Sequence, residues 1–133
     1  MPSNNLQKLK DFLSALGAGD EAGMGALMHP EFYVEQAASL PYGGVHRGLA
    51  GWLALQRTRI ATWKDEVAEL VSLIGDPEGD EFGMMARLRG RTPKAGKQFD
   101  MQVFELVRFQ DGKIIEIRPF YWDTHALVML DKD

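Results

Sequence analysis

Apolar side chains recur at helical spacing in the first half of the chain and at strand spacing in the second. Leu6, Leu9, Leu13 and Leu16 lie three or four residues apart, with Phe12 beside them. That spacing predicts an amphipathic helix ending near Gly17-Ala18-Gly19. Asp20 is suited to cap a second, shorter helix, expected to carry Met24, Leu27 and Met28 and to close at Pro30. Phe32–Gln36 alternates as a short strand, and the proline and glycines of Leu40–Gly48 (LPYGGVHRG) predict a loop. A third helix is expected next, with Leu49, Trp52, Leu53, Gln56, Ile60 and Trp63 on one side.

From Lys64 the period changes to that of strands. Val67, Val71 and Leu73 belong to one, which Gly75–Asp80 ends. Phe82, Met84, Ala86 and Leu88 form the apolar face of the next, whose other face is Arg87, Arg89 and Arg91. Thr92–Gly96 predicts another turn. In Lys97–Asp123 two strands are joined by Asp111-Gly112, a strong hairpin signal. Phe99, Met101, Val103, Glu105, Val107 and Phe109 share one face of the first strand. Ile115, Ile117, Pro119, Tyr121 and Asp123 share one face of the second. Each apolar face thus carries one carboxylate, Glu105 or Asp123. A carboxylate taken out of water must find partners, bind a proton or line a wet cavity, so the hairpin predicts a pocket. A short helix is expected around Ala126–Leu130. Helices followed by antiparallel strands predict an α+β fold, a sheet curled over helices.

The 133 residues suit one domain with one core. A net charge of −4, with both signs scattered, lacks the basic stripe that nucleic-acid binding wants. The cluster Arg87, Arg89, Arg91, Lys94 and Lys97 has no interleaved exposed aromatics and is expected to be a solvated strand face. The absence of cysteine excludes disulfides, thiol nucleophiles and thiolate metal sites. No apolar run approaches membrane-spanning length, and MPSNNLQKLK lacks a signal-peptide core. A cytoplasmic protein with no membrane partner is expected.

Three segments, in this order, resemble the nuclear transport factor 2-like superfamily. FLSALGAGDEAGMGALMHPEFYVE is similar to its first two helices and first strand, GGVHRGLAGW to its entry into the third helix, and VFELVRFQDGKIIEIRPFYWD to its closing hairpin. The resemblance covers almost the whole chain and points to a SnoaL-like or ketosteroid isomerase-related member. It implies a cone-shaped α+β barrel over residues 1–133, a curved, largely antiparallel sheet wrapped around N-terminal helices and enclosing one pocket. It also implies a homodimer through the open face of the sheet, and no cofactor.

Residue by residue, the resemblance is selective. Ketosteroid isomerases use a tyrosine, a base aspartate and a protonated aspartate. The matching positions are Phe12, Gln36 and Glu105. An amide cannot abstract a proton at neutral pH, so steroid isomerisation by that route is not expected. Epoxide hydrolases need an Arg-x-Asp pair, and Arg87-Leu88-Arg89 lacks the aspartate. SnoaL-like cyclases and epoxide hydrolases carry a working aspartate where Asp123 stands.

Asp123, Glu105, Tyr121 and His125 are therefore the candidate catalytic residues. Asp123 would move a proton, Glu105 or Tyr121 would stabilise an enolate, and His125 would pair with Asp123 as a shuttle. Asp123 also suits the N-cap of the last helix, and Glu105 a structural ion pair. Phe12, Gln36, Tyr33, Tyr42, Trp52, Trp63, Met101, Val103, Ile117 and Pro119 are candidate ligand contacts. The three histidines are too scattered for a metal site. Two functions are expected to compete. One is proton transfer on an apolar carbonyl compound by a cyclase-, isomerase- or lyase-type enzyme. The other is binding of an apolar small molecule without chemistry.

Overall fold

The computed structural model describes residues 4–132. α1 (Asn5–Ala18) ends where expected. Gly19 takes a left-handed φ of 69°, and the amides of Gly19 and Asp20 close back on the carbonyls of Leu16 and Ala15. The Asp20 carboxylate then accepts the Gly23 N–H at 2.9 Å and starts α2 (Glu21–Ala26).

α2 is shorter than the sequence suggests. Met28 and Pro30 belong to β1 (Met28–Gln36), because the Leu27 carbonyl receives the Ile114 N–H and draws the chain into the sheet. The expected loop at 40–48 contains β2 (Gly44–Arg47), an edge strand paired with Tyr33–Gln36. α3 (Gly48–Thr62) stops before Trp63, and its buried residues are Trp52 and Leu55. Ile60 is 66% exposed, so the helix is rotated from the expected face.

Four long strands complete the sheet: β3 (Lys64–Ile74), β4 (Glu81–Arg91), β5 (Gln98–Gln110) and β6 (Lys113–Tyr121). α4 (Thr124–Asp131) ends the described chain. The curved, unclosed sheet has the order β2-β1-β6-β5-β4-β3. Neighbours are antiparallel except β1 and β6, which run parallel.

Asp111 and Gly112 have φ of 54° and 75°, the pair of positive values that a tight two-residue hairpin turn requires. The register places Val103 opposite Tyr121, Glu105 opposite Pro119 and Val107 opposite Ile117. Between Arg108 and Phe109 it shifts, because Ile115 is an extra residue on β6. The bulge puts Ile114, not Ile115, under Phe109, and Ile114 is fully buried. It also turns Glu116 to the outer face, where Arg108 and Arg118 bond it at 2.6 Å each.

The inner face of β4 is the expected one, with Phe82, Met84, Ala86 and Leu88 all buried. Over the sheet, Trp52 meets the rings of Phe12 and Phe32 edge-on at 5.5 and 6.1 Å, locking α1 and α3 to β1. At the other end of the core, Trp63 packs edge-on against Phe99 at 5.0 Å.

The rotation of α3 has a direct consequence for stability. Leu55→Ala should cost about 2–5 kcal/mol in urea unfolding, as a core cavity does. Ile60→Ala should stay within about 0.5 kcal/mol. The reverse order would place Ile60 in the core instead.

Candidate active site

Between α1, α3 and the concave face of the sheet lies a cavity of about 410 Å³. α1 contributes Leu9, Phe12, Leu13, Leu16 and Gly17, and α3 contributes Trp52 and Arg59. Ala68 and Leu70 of β3 and Met84, Ala86 and Leu88 of β4 form the adjoining wall. The central strands supply Val103, Glu105, Ile117 and Tyr121. The lining is apolar apart from Arg59, Glu105 and Tyr121, the composition of a small-molecule site.

Glu105 is held between Val103 and Val107 on the inner face of β5 and opposite Met84 and Pro119. It is half-buried and lines the cavity. Among the described residues no side chain or amide hydrogen-bonds its carboxyl. Burial pushes the Glu105 carboxyl above its ordinary range, with Arg59 acting against the shift and Glu66 adding to it. Arg59 bonds Glu66 at 2.7 Å and Gln56 at 3.4 Å. Burial alone would lower the Arg59 guanidinium, but Glu66 first, then Tyr121 and Glu105, more than offset it, so Arg59 stays charged. Burial also raises the Glu66 carboxyl, against the pull of Arg59. The 2.7 Å contact makes Glu66 the anion of this pair, which leaves Glu105 as the acid that readily holds a proton.

A hydrogen-bonded chain of side chains backs the polar end. The Trp63 indole N–H donates to the Tyr42 hydroxyl at 2.9 Å, and the Tyr121 hydroxyl donates to Gln36 Oε1 at 2.7 Å. The two phenols also interact with each other. Burial raises both phenols above their usual value, Tyr121 the more strongly, so neither acts as a phenolate. The Trp52 indole nitrogen and Arg59 Nε are buried without a hydrogen-bond partner among the described residues.

Of the residues singled out from sequence, Phe12, Trp52, Val103, Glu105, Ile117 and Tyr121 line this cavity. Gln36, Tyr42 and Trp63 stand behind Tyr121, and Pro119 is buried opposite Glu105. Met101 is half-buried opposite Leu88 and lies outside the lining. Tyr33 is on the outer face of β1 with the Arg47 guanidinium 5.8 Å from its ring, so it is not a pocket wall.

The expectation for Asp123 is corrected. β6 ends at Tyr121, the backbone turns, and Asp123 is exposed with its carboxylate accepting the Ala126 N–H at 3.0 Å. It caps α4 and does not reach the cavity. His125, exposed in the first turn of α4, does not reach it either.

Sequence reasoning missed Arg59 and Glu66. A signal for Arg59 exists, since Trp52, Gln56 and Arg59 follow the i, i+4, i+7 pattern of one helix face. Nothing local distinguishes Glu66 from the exposed acids around it. A shallower depression of about 590 Å³ lies over Asp65, Arg89, Arg91 and Asp100. Arg91 pairs there with Asp65 at 2.7 Å and Asp100 with Arg87 at 2.9 Å, while Arg89 Nε has no hydrogen-bond partner among the described residues. The depression has little of the apolar lining that makes the cavity the stronger candidate. No group of His, Asp and Glu able to hold a metal occurs among the described residues, and no helix there is long and apolar enough to cross a membrane.

Residues 9–117 match the family model for the SnoaL-like domain. Comparison with curated proteins gave no significant match. Solved structures similar to the chain share its fold at low identity. An NTF2-like protein of unknown function from Burkholderia pseudomallei is 19% identical, with TM-score 0.83 over 98% of this chain and 99% of that one. TerC, co-crystallised with polyporic acid, is 18% identical, with TM-score 0.81 over 98% and 100%. A putative SnoaL-like polyketide cyclase from a Jannaschia species is 19% identical, with TM-score 0.76 over 98% and 93%.

The raised Glu105 carboxyl carries a stability signature. An acid raised in the folded state stabilises below its unfolded value, near 4.5, and loses that contribution as pH rises through its folded value. The stability of Glu105→Gln relative to the parent should therefore increase with pH between about 4.5 and the folded value, by at most about 1.4 kcal/mol per pH unit, and level off above it. Urea melts at stepped pH read this directly. A difference independent of pH would mean that Glu105 titrates normally.

Proposed function

Because the chain belongs to the SnoaL-like domain family, we propose that its cavity binds an apolar carbonyl compound and that Glu105 transfers a proton on it. The observation that carries this reading is a carboxyl raised by burial, without a hydrogen-bond partner among the described residues, in an otherwise apolar cavity. Such an acid holds its proton to higher pH than an ordinary carboxylate and, once ionised, is a stronger base. Arg59, held by Glu66, supplies fixed positive charge near an oxygen that becomes negative, as an enolate does. Tyr121 positions the ligand rather than donating to it, since its proton is committed to Gln36. Asp123, the acid first expected to do this work, stays at the helix cap. That TerC was crystallised with polyporic acid supports small-molecule binding in this fold.

A panel of apolar ketones in deuterated buffer tests the proposal, with loss of proton signal beside the carbonyl as the readout. Glu105→Gln should slow exchange by about 10²–10⁴-fold with little change in binding. Asp123→Asn should leave it unchanged. Wild-type exchange in Glu105→Gln would remove Glu105 from the chemistry.

The Tyr121–Gln36 bond favours a second reading, binding without catalysis, because it removes one proton donor from the site. Ketones that bind and never exchange would select that reading.

The proposal includes a homodimer through the outer face of the sheet. Phe120 is 53% and Trp122 83% exposed, and Phe120 pairs across the strands with Phe104, itself opposite Met85. Exposed aromatics in register on one face suit burial against a second copy. Light scattering should give twice the chain mass, and Phe120→Asp should halve it. A monomeric parent protein would rule out this interface. A cytoplasmic location belongs to this reading on composition alone.

A further inference from the structure

The lining residues are not uniformly buried, and the pattern gives the cavity a direction. Leu9, Phe12, Trp52, Met84 and Val103 are buried, whereas Leu70 is 49% and Leu16 36% exposed, with Gly17 and Ala68 also exposed. The cavity therefore opens between the C-terminal end of α1 and the edge strand β3. Its lip is apolar. Glu105 and Tyr121 lie on β5 and β6, two and three strands in from that edge. At about 4.8 Å between strands, they stand roughly 10–14 Å from the mouth. Arg59 and its partner Glu66, whose side chains are each only 18% exposed, stand at the buried end, where Arg59 acts on Tyr121 and Glu105.

The polar end is a place for a neutral acceptor. An ammonium group would meet Arg59, and a carboxylate would have to displace Glu66 from it and approach Glu105. The Trp52 indole N–H and Arg59 Nε, both on residues that line the cavity, are buried donors without a partner among the described residues. Buried donors left unpaired favour a ligand that brings an acceptor oxygen.

From this arrangement we infer that the ligand is a single-tailed amphiphile with a carbonyl head, entering head first and leaving its alkyl tail against Leu16 and Leu70. The inference rests on the reading of the cavity as a carbonyl site, and adds the shape of the substrate and its direction of entry. A tail longer than the strand-to-edge span passes the lip and is tolerated, whereas added bulk at the carbonyl end is not.

Calorimetric titration of a long-chain methyl ketone and of its isomer with the carbonyl at mid-chain separates head position from size and hydrophobicity. The methyl ketone should bind about tenfold tighter or more, because the mid-chain isomer cannot seat its carbonyl without burying a second tail there. Across a series of methyl ketones, affinity should rise about three- to fourfold per methylene. Leu70→Asp, a change at an exposed residue, should remove that gain for the longest members and spare the shortest. Equal binding of the two isomers, or an equal loss at every chain length in Leu70→Asp, would overturn the inference while leaving the carbonyl site standing. A clear preference for the methyl ketone without proton exchange would uphold the direction of entry and overturn catalysis. If neither isomer binds, both readings fail together.

Discussion

The register of β5 against β6 is the constraint on which the rest depends. Side chains alternate strictly along a strand, so a slip of one residue would send the inner set to solvent. Two local features hold the register. The turn at Asp111-Gly112 sets the pairing at the tip, and the bulge at Ile115 resets it before the pocket begins. Below the bulge Val107 meets Ile117, Glu105 meets Pro119 and Val103 meets Tyr121. The bulge also sends Glu116 outward, where two arginines neutralise it. One inserted residue thus separates an acid that is paired from an acid that is not.

That separation explains the electrostatics. Burying a charge is costly unless partners or a proton offset it. Glu116 and Glu66 have arginine partners, and Glu105 has only the more distant influence of Arg59. The asymmetry is why burial raises the Glu105 carboxyl with only Arg59 acting against it. The hydrogen-bonded phenols and indole behind it fix the orientation of Tyr121.

Much of this architecture was legible in the chain, and the errors have physical causes. Alternation identified the inner faces of β4 and β5, and Asp20 and Asp111-Gly112 announced a cap and a turn, because these are local effects. Periodicity misplaced Ile115, since a bulge breaks the alternation without a mark in the sequence. It extended α2 over Met28 and Pro30, where pairing with β6 overrode the helical pattern. It also gave Ile60 a core position that belongs to Leu55, because apolar residues on both sides of α3 leave the helix face ambiguous.

The division at the site follows the same line. The sequence by itself pointed to a carboxyl among apolar side chains at position 105, because Glu105 alternates with Val103 and Val107 on one strand face. It also carried the resemblance that anticipated the fold. Only the tertiary structure decided between the two acids of the hairpin. Asp123 fits the strand pattern as well as Glu105 does, but the chain turns after Tyr121 and spends that carboxylate on a helix N-terminus. Arg59 and Glu66 join Glu105 through the packing of α3 across the sheet, a long-range contact that no local period encodes.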